Sequence, residues 1–258
     1  MSRFRPWLVL LSFAALTLPL MPLQQLFVWF WPRMARRFPM HYHRMVCRLL
    51  GLRIEVTGTP PQAGPVLIVS NHVSWLDIVV LSAVAPLSFI AKREVREWPF
   101  FGTLARLQRT VFIDRNRRHA TGTKRDEMQD RLKARDILVL FPEGTSSNGH
   151  EVLPFKSSFF GAAENEGVLV QPVSLAYCKC RNLPMNRRLM PSYAWYGEME
   201  LAPHLWEALA TGPVDVSVTF HAPLSVSGEG NRKLLARHAE EKVRQGVSLA
   251  LHGSGKTR

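Results

Sequence analysis

A histidine followed five positions later by an aspartate is the first place in this chain where chemistry is legible. Asn71-His72-Val73-Ser74-Trp75-Leu76-Asp77 comes directly after a short apolar run, Val66–Ser70. If the chain turns at Ser74 and starts a helix, the Asp77 carboxylate folds back toward the imidazole. A carboxylate on one ring nitrogen fixes the tautomer and raises the basicity of the other nitrogen. Such a pair takes a proton from a substrate hydroxyl. The same spacing makes Ser74-x-x-Asp77 a capping box, which assigns Asp77 a local, structural task. Both readings stand at this point.

Two further segments follow apolar runs in the same way. Phe141-Pro142-Glu143-Gly144-Thr145 closes the run Ile137–Phe141. Glu143 and Gly144 can offer a carboxylate and backbone amides to a polar substrate, or can form an ordinary turn. Arg115 follows the run Thr110–Ile113, and the planar fork of Arg suits phosphate or carboxylate. Each segment alone is weak; three together, each after a strand, point to one edge of a sheet. The chain has no G-x-S-x-G elbow, and none of its cysteines sits in a nucleophile signature. The expected chemistry is therefore direct transfer to a hydroxyl deprotonated by His72, with no covalent enzyme intermediate.

The elements that must position these residues alternate between strand and helix patterns. Strands are expected at Arg53–Val56, Val66–Ser70, Ser88–Ala91, Thr110–Ile113, Ile137–Phe141, Val168–Ser174 and Val214–Phe220. Helices are expected at Trp75–Val84, Phe100–Leu107, Arg117–Ala134, Ser157–Asn165 and Asn231–Leu251. This alternation predicts an α/β fold with a mostly parallel central sheet flanked by helices. Sites in such folds lie beyond the carboxyl ends of the strands.

The N-terminus has a different character. No charged residue occurs from Pro6 to Pro32, a run of 27 positions. Arg3 and Arg5 precede it, Arg33, Arg36 and Arg37 follow it, and Trp7, Trp29 and Trp31 mark its ends. About 20 apolar residues suffice to cross a bilayer as a helix, and Trp favours the interface. The run is too long for a typical signal peptide. Pro19, Pro22, Gln24 and Gln25 interrupt it, so it reads either as one kinked span or as short helices dipping into one leaflet. The mixed basic and aromatic stretch 36–44 reads as an interfacial helix start. The domain reading is a membrane segment over 1–44 and a catalytic domain over 45–258. The larger number of Arg after the segment predicts a catalytic domain facing the cytoplasm from the inner membrane.

Lys and Arg total 33 against 20 Asp and Glu, a net charge of +13, which calls for an anionic partner. The apolar segment makes that partner an anionic membrane. No nucleic acid is expected, because Arg115-Asn116-Arg117-Arg118 has no recognised nucleic-acid fold around it. The three cysteines, Cys47, Cys178 and Cys180, cannot complete a disulfide framework. Cys178-Lys-Cys180 lacks a second pair at zinc spacing, and His41-x-His43 reads as a surface feature, so no metal is expected. Neither GxGxxG nor a P-loop occurs, so no nucleotide cofactor is expected.

Four blocks in order, Asn71-His72-x-x-x-x-Asp77, Phe112-Ile113-Asp114-Arg115, Phe141-Pro142-Glu143-Gly144-Thr145 and Val170-Gln171-Pro172-Val173, resemble those of the glycerolipid acyltransferases. The resemblance covers about residues 45–220 and is to the bacterial 1-acyl-sn-glycerol-3-phosphate acyltransferases. It implies that His72 is the general base and Asp77 its partner. It further implies that Arg115 binds the acceptor's phosphate, and that Glu143, Gly144 and Thr145 line the acceptor site. The acceptor would be a lysolipid and the donor an acyl thioester of acyl carrier protein or coenzyme A, with no resident cofactor. The product would be phosphatidic acid. Two departures bear on the acceptor. Ser146 stands where the family usually has Arg after Glu-Gly-Thr, and Arg109 stands where it tends to have Gly. Either Arg109 compensates for the lost charge or the acceptor lacks a phosphate. The stretch Gly144–Gly149 with Leu153-Pro154-Phe155-Lys156 is similar to the subgroup that acylates lyso-ornithine lipid. A membrane lipid-binding protein without catalysis is the remaining alternative.

Overall fold

The computed structural model describes residues 4–113, 123–164 and 167–253. The first two helices, α1 (Arg5–Phe30) and α2 (Pro32–Leu50), form an antiparallel hairpin. Helix α1 is unbroken through Pro19 and Pro22. The sheet comprises β1 (Leu52–Thr57), β2 (Val66–Ser70), β3 (Ser88–Lys92), β4 (Val111–Ile113), β5 (Ile137–Leu140), β6 (Leu169–Cys180), β7 (Leu183–Pro184) and β8 (Val214–Phe220). Between them lie α3 (Leu76–Val84), α4 (Phe101–Leu107), α5 (Thr123–Lys133) and α6 (Leu201–Thr211), followed at the end by α7 (Val226–Glu229) and α8 (Arg232–Gly253).

The strand order is β1-β8-β6-β2-β5-β3-β4, with β7 paired to β6. The expected mostly parallel sheet is present. Strands β6, β2, β5, β3 and β4 run the same way, while the parallel pair β1–β8 joins antiparallel to β6. Strand β2 is buried at every position because helices cover both faces, which is why it reads as a continuous apolar run. Its alternate residues feed two cores. Val66 and Ile68 pack with Val9 of α1, Val46 of α2, Val80 of α3 and Leu209 of α6. Leu67 and Val69 pack with Leu132 of α5, Phe160 and Leu235 of α8. The fold is therefore a three-layer α/β/α arrangement.

The expected elements within the described residues are present with local differences; the first part of the helix expected over Arg117–Ala134 lies outside them, and α5 is described from Thr123. Residues Ser157–Glu164 form a 3₁₀ helix. Strand β6 runs on to Cys180, so Cys178 and Cys180 are buried strand residues. Helix α6 was not anticipated, because Pro203 interrupts its apolar spacing; a proline in the first turn has no helical N–H to lose. The expected boundary at residue 44 falls inside α2, which continues to Leu50 and stops at Gly51, φ 80°. A glycine tolerates that left-handed helix end without strain.

The hairpin is fixed to the domain along its length. The Arg5 guanidinium donates to Leu50 O at 2.8 Å and to Leu209 O. Further along α1, Gln24 Nε2 donates to Ala35 O at 3.1 Å and to Leu107 O at 2.9 Å. Both carbonyls are orphans of helix geometry. Pro39 has no N–H for Ala35 O, and Leu107 O belongs to the last turn of α4. Buried Gln24 thus replaces two missing donors and ties α1 to both elements.

Candidate active site

Strands β2 and β5 are adjacent and in register, with Val69 opposite Leu140. They therefore deliver Asn71-His72 and Phe141-Pro142-Glu143 to the same edge at the same height. The His72 ring stacks on Phe141, with centroids 4.1 Å apart and planes at 16°. His72 N donates to Glu143 Oε1 at 3.3 Å, and Ser147 N donates to His72 O at 2.8 Å.

Asp77 joins the imidazole. Its Oδ2 lies 2.8 Å from His72 Nδ1 and also accepts from Val73 N at 2.7 Å and Ser74 N at 2.9 Å. Its Oδ1 accepts the Tyr177 hydroxyl at 2.7 Å. Asp77 is fully buried, whereas the His72 side chain is 21% exposed. The capping reading and the partner reading of Asp77 hold together: one carboxylate closes the loop before α3 and orients the ring. With the Asp77 carboxylate oxygen as the partner of Nδ1, the tautomer that satisfies it carries its proton there and leaves the Nε2 lone pair for chemistry.

Glu143 is buried against this pair, and its Oε2 has no hydrogen-bond partner among the described residues. Burial pushes its carboxyl up to about 8; the His72 amide opposes that shift and the Asp77 charge adds to it. Gly144 takes φ 78°, a conformation open to glycine, and Thr145 is exposed. Arg115 lies outside the described residues.

Ser146 and Arg109, the two departures from the family pattern, have structural tasks. The Ser146 hydroxyl donates to Trp195 O, and Trp195 N donates to Val73 O at 2.9 Å. Arg109 precedes β4 and pairs at 2.9 Å with Asp136, the residue before β5. These are the amino ends of strands whose carboxyl ends carry the site. Arg109 therefore does not replace a cation beside His72. Its φ of 60° is a left-handed conformation that glycine adopts more readily.

Two positioning residues were not singled out from the sequence. Asn71 Oδ1 accepts from Leu175 N at 2.9 Å and its Nδ2 donates to Leu175 O at 2.8 Å, copying a strand backbone where β2 ends. Its place beside His72 in the motif was the available signal. Tyr177 has no local signal, since it reaches Asp77 from 100 residues away.

Beside the site lies an apolar cavity of about 510 Å³, lined by α1, α2, α3, β3, α4 and α6. Phe89 lines it and stacks on Phe141 at 6.4 Å, so the cavity wall is continuous with the His72 ring stack. Volumes of about 300–1,000 Å³ are typical of ligand sites.

A mostly parallel sheet with an accessible, carboxylate-oriented histidine beside an apolar cavity is a site for moving groups between apolar substrates. The comparisons with known proteins give that class its name. The acyltransferase family profile matches residues 53–176. The chain is 47% identical over 256 residues to a lyso-ornithine lipid O-acyltransferase of Brucella abortus (strain 2308), covering 96% of each. It is 34% identical over 219 residues to a 1-acyl-sn-glycerol-3-phosphate acyltransferase of Neisseria meningitidis serogroup B, covering 84% of this chain and 83% of that one. Its fold matches the crystal structure of the 1-acyl-sn-glycerophosphate (LPA) acyltransferase PlsC from Thermotoga maritima. The TM-score is 0.68 at 23% identity, over 96% of this chain and 97% of that one. The chain belongs to the acyltransferase family and is an O-acyltransferase.

Proposed function

We propose that this enzyme transfers a fatty acyl group from a thioester to the free hydroxyl of lyso-ornithine lipid, at a membrane surface. The observation that carries the acceptor is Ser146, which stands where an acceptor phosphate would meet Arg and whose hydroxyl is bound to Trp195 O. The extent of similarity to lyso-ornithine lipid acyltransferases at 47% and 41% identity points the same way. Lysophosphatidic acid is the second reading, favoured by Arg115, which follows β4 in the sequence, and by relatives such as the Neisseria enzyme.

In the proposed reaction the His72 imidazole, oriented through Nδ1 by Asp77, accepts the acceptor's hydroxyl proton at Nε2. The oxygen attacks the thioester carbonyl. Collapse of the tetrahedral intermediate expels the thiolate, which takes the proton back from His72. Acyl carrier protein or coenzyme A supplies the thioester, and the acyl chain occupies the apolar cavity. Glu143, Gly144 and Thr145 line the acceptor site, and Arg115 contributes to acceptor binding.

The hairpin reads as an in-plane anchor. Arg5 and Gln24 are both bonded to the domain and lie about 28 Å apart along α1 at 1.5 Å per residue. Crossing the bilayer with α1 would draw the domain's polar surface into hydrocarbon, at a cost of several kcal/mol for each unsatisfied group. The outward face of α1, including Trp7, Leu11, Leu18, Leu26 and Trp29, is exposed and apolar, and an apolar patch of that extent favours lipid over water. The domain would face the cytoplasm from the inner membrane.

The test offers purified full-length protein both lysolipids in parallel, each with acyl carrier protein and coenzyme A thioesters. Acylated ornithine lipid as the dominant product is expected. Acylation of lysophosphatidic acid alone sinks the acceptor assignment.

A further inference from the structure

At the edge of the sheet opposite His72, three arginines converge on one carboxylate. Asp136 is 4% exposed and stands before β5. Arg109 NH2 lies 2.9 Å from its Oδ2, Arg131 Nε bonds the same oxygen, and Arg36 Nε of α2 lies 2.7 Å from Oδ1. Arg131 is engaged through all three of its nitrogens, since it also donates to Arg109 O at 2.9 Å and Ser88 Oγ at 3.2 Å. Arg36 is not. Its Nε is buried against Asp136 Oδ1 and closed to a ligand, so its open donors are on the terminal nitrogens. Only its NH2 is hydrogen-bonded, to Ala134 O at 3.1 Å, and its side chain is 37% exposed.

One carboxylate cannot neutralise three guanidinium groups. The cluster also has a specific neighbourhood. The turn between α1 and α2 exposes Trp29, Phe30, Trp31 and Met34 by 46–65%, and exposed Arg33 and Arg37 flank Arg36 on α2. Apolar rings at the tip enter a lipid surface, and the guanidinium a turn away then lies at head-group depth. A planar fork with unused donors binds a phosphate oxygen pair.

We infer that Arg36, backed by Arg109, Arg131 and Asp136, is a binding site for the phosphodiester of an anionic phospholipid head group, separate from the catalytic edge. The site rests on the in-plane reading of the hairpin. It docks the tip against anionic lipid and holds the hairpin down on β5.

The test is flotation of the full-length protein with vesicles of phosphatidylcholine alone and of equal parts phosphatidylcholine and phosphatidylglycerol. Arg36→Gln is compared with Arg237→Gln, an exposed arginine on α8 across the sheet. Arg36→Gln is expected to weaken binding to the mixed vesicles by about tenfold, the factor for one charge-assisted bond. Arg237→Gln should change it by less than about twofold. Asp136→Asn removes the internal counter-charge and should strengthen binding to the mixed vesicles only, which a purely structural latch would not do. Equal loss in Arg36→Gln and Arg237→Gln, with no gain in Asp136→Asn, overturns the site. Failure of the parent protein to bind either vesicle overturns the in-plane hairpin instead.

Discussion

The Tyr177 hydroxyl donates to Asp77 Oδ1 at 2.7 Å, so strand β6 holds the carboxylate that holds the imidazole. Tyr177 is fully buried, and burial followed by the Asp77 charge drives its own pKa well above the usual phenol range, so it remains a donor. Tyr177→Phe leaves Oδ1 without that donor. It should cost about 1–3 kcal/mol of stability and lower acyl transfer without abolishing it. Thermal melts and initial rates check this; an unchanged rate would remove Tyr177 from the positioning chain.

His72 and Asp77 should separate cleanly when each is altered. His72→Ala removes a partly exposed ring and should lower kcat by about 10²–10⁴ with little change in melting temperature. Asp77→Asn places an amide among groups that all donate, from His72, Val73, Ser74 and Tyr177. It should lose activity and also about 2–4 kcal/mol of stability. Full activity in His72→Ala would falsify the general-base assignment.

Glu143 makes stability fall with pH. Its carboxyl is pushed to about 8 by burial, while an unfolded Glu titrates near about 4.3. Between those values the folded protein keeps a proton that the unfolded chain has released, so stability declines as pH rises. Glu143→Gln keeps an oxygen for the His72 amide and carries no charge. Its melting temperature should gain on the parent from about pH 5 to about pH 8 and run parallel above that. Parallel curves throughout would show that Glu143 is not held protonated.

Gln24→Leu should loosen the hairpin. It strands Ala35 O and Leu107 O, each at about 1–3 kcal/mol if left without a partner. Hydrogen exchange should rise in α1 and in the end of α4 while β2 and β5 stay protected. Unchanged protection in α1 would mean that apolar packing alone holds it.

Ala105 lines the cavity from α4. Ala105→Phe narrows it, at a packing cost of about 1–3 kcal/mol. Rates with long-chain thioesters should fall more than rates with short-chain ones. An unaltered chain-length profile would place the acyl chain elsewhere.

The sequence alone determined what is local. Val66–Ser70 is apolar throughout because both of its faces are covered, and that made β2 readable. The five-residue spacing from His72 to Asp77 spans one loop and the start of a helix, so their contact could be anticipated from spacing. The long uncharged run made α1 readable as one long apolar helix. Only the tertiary structure decided what depends on strand order. The register of β2 with β5 stacks His72 on Phe141, and the length of β6 brings Tyr177 to Asp77. The placement of β4 and β5 puts Arg109 on Asp136 at the far edge, where it does not serve the acceptor. Contacts at both ends of α1 support its lying along the domain, a choice its composition left open. Periodicity and spacing record the environment of neighbours in the chain; pairing across the sheet is set by how whole faces pack, and no short window of residues carries it.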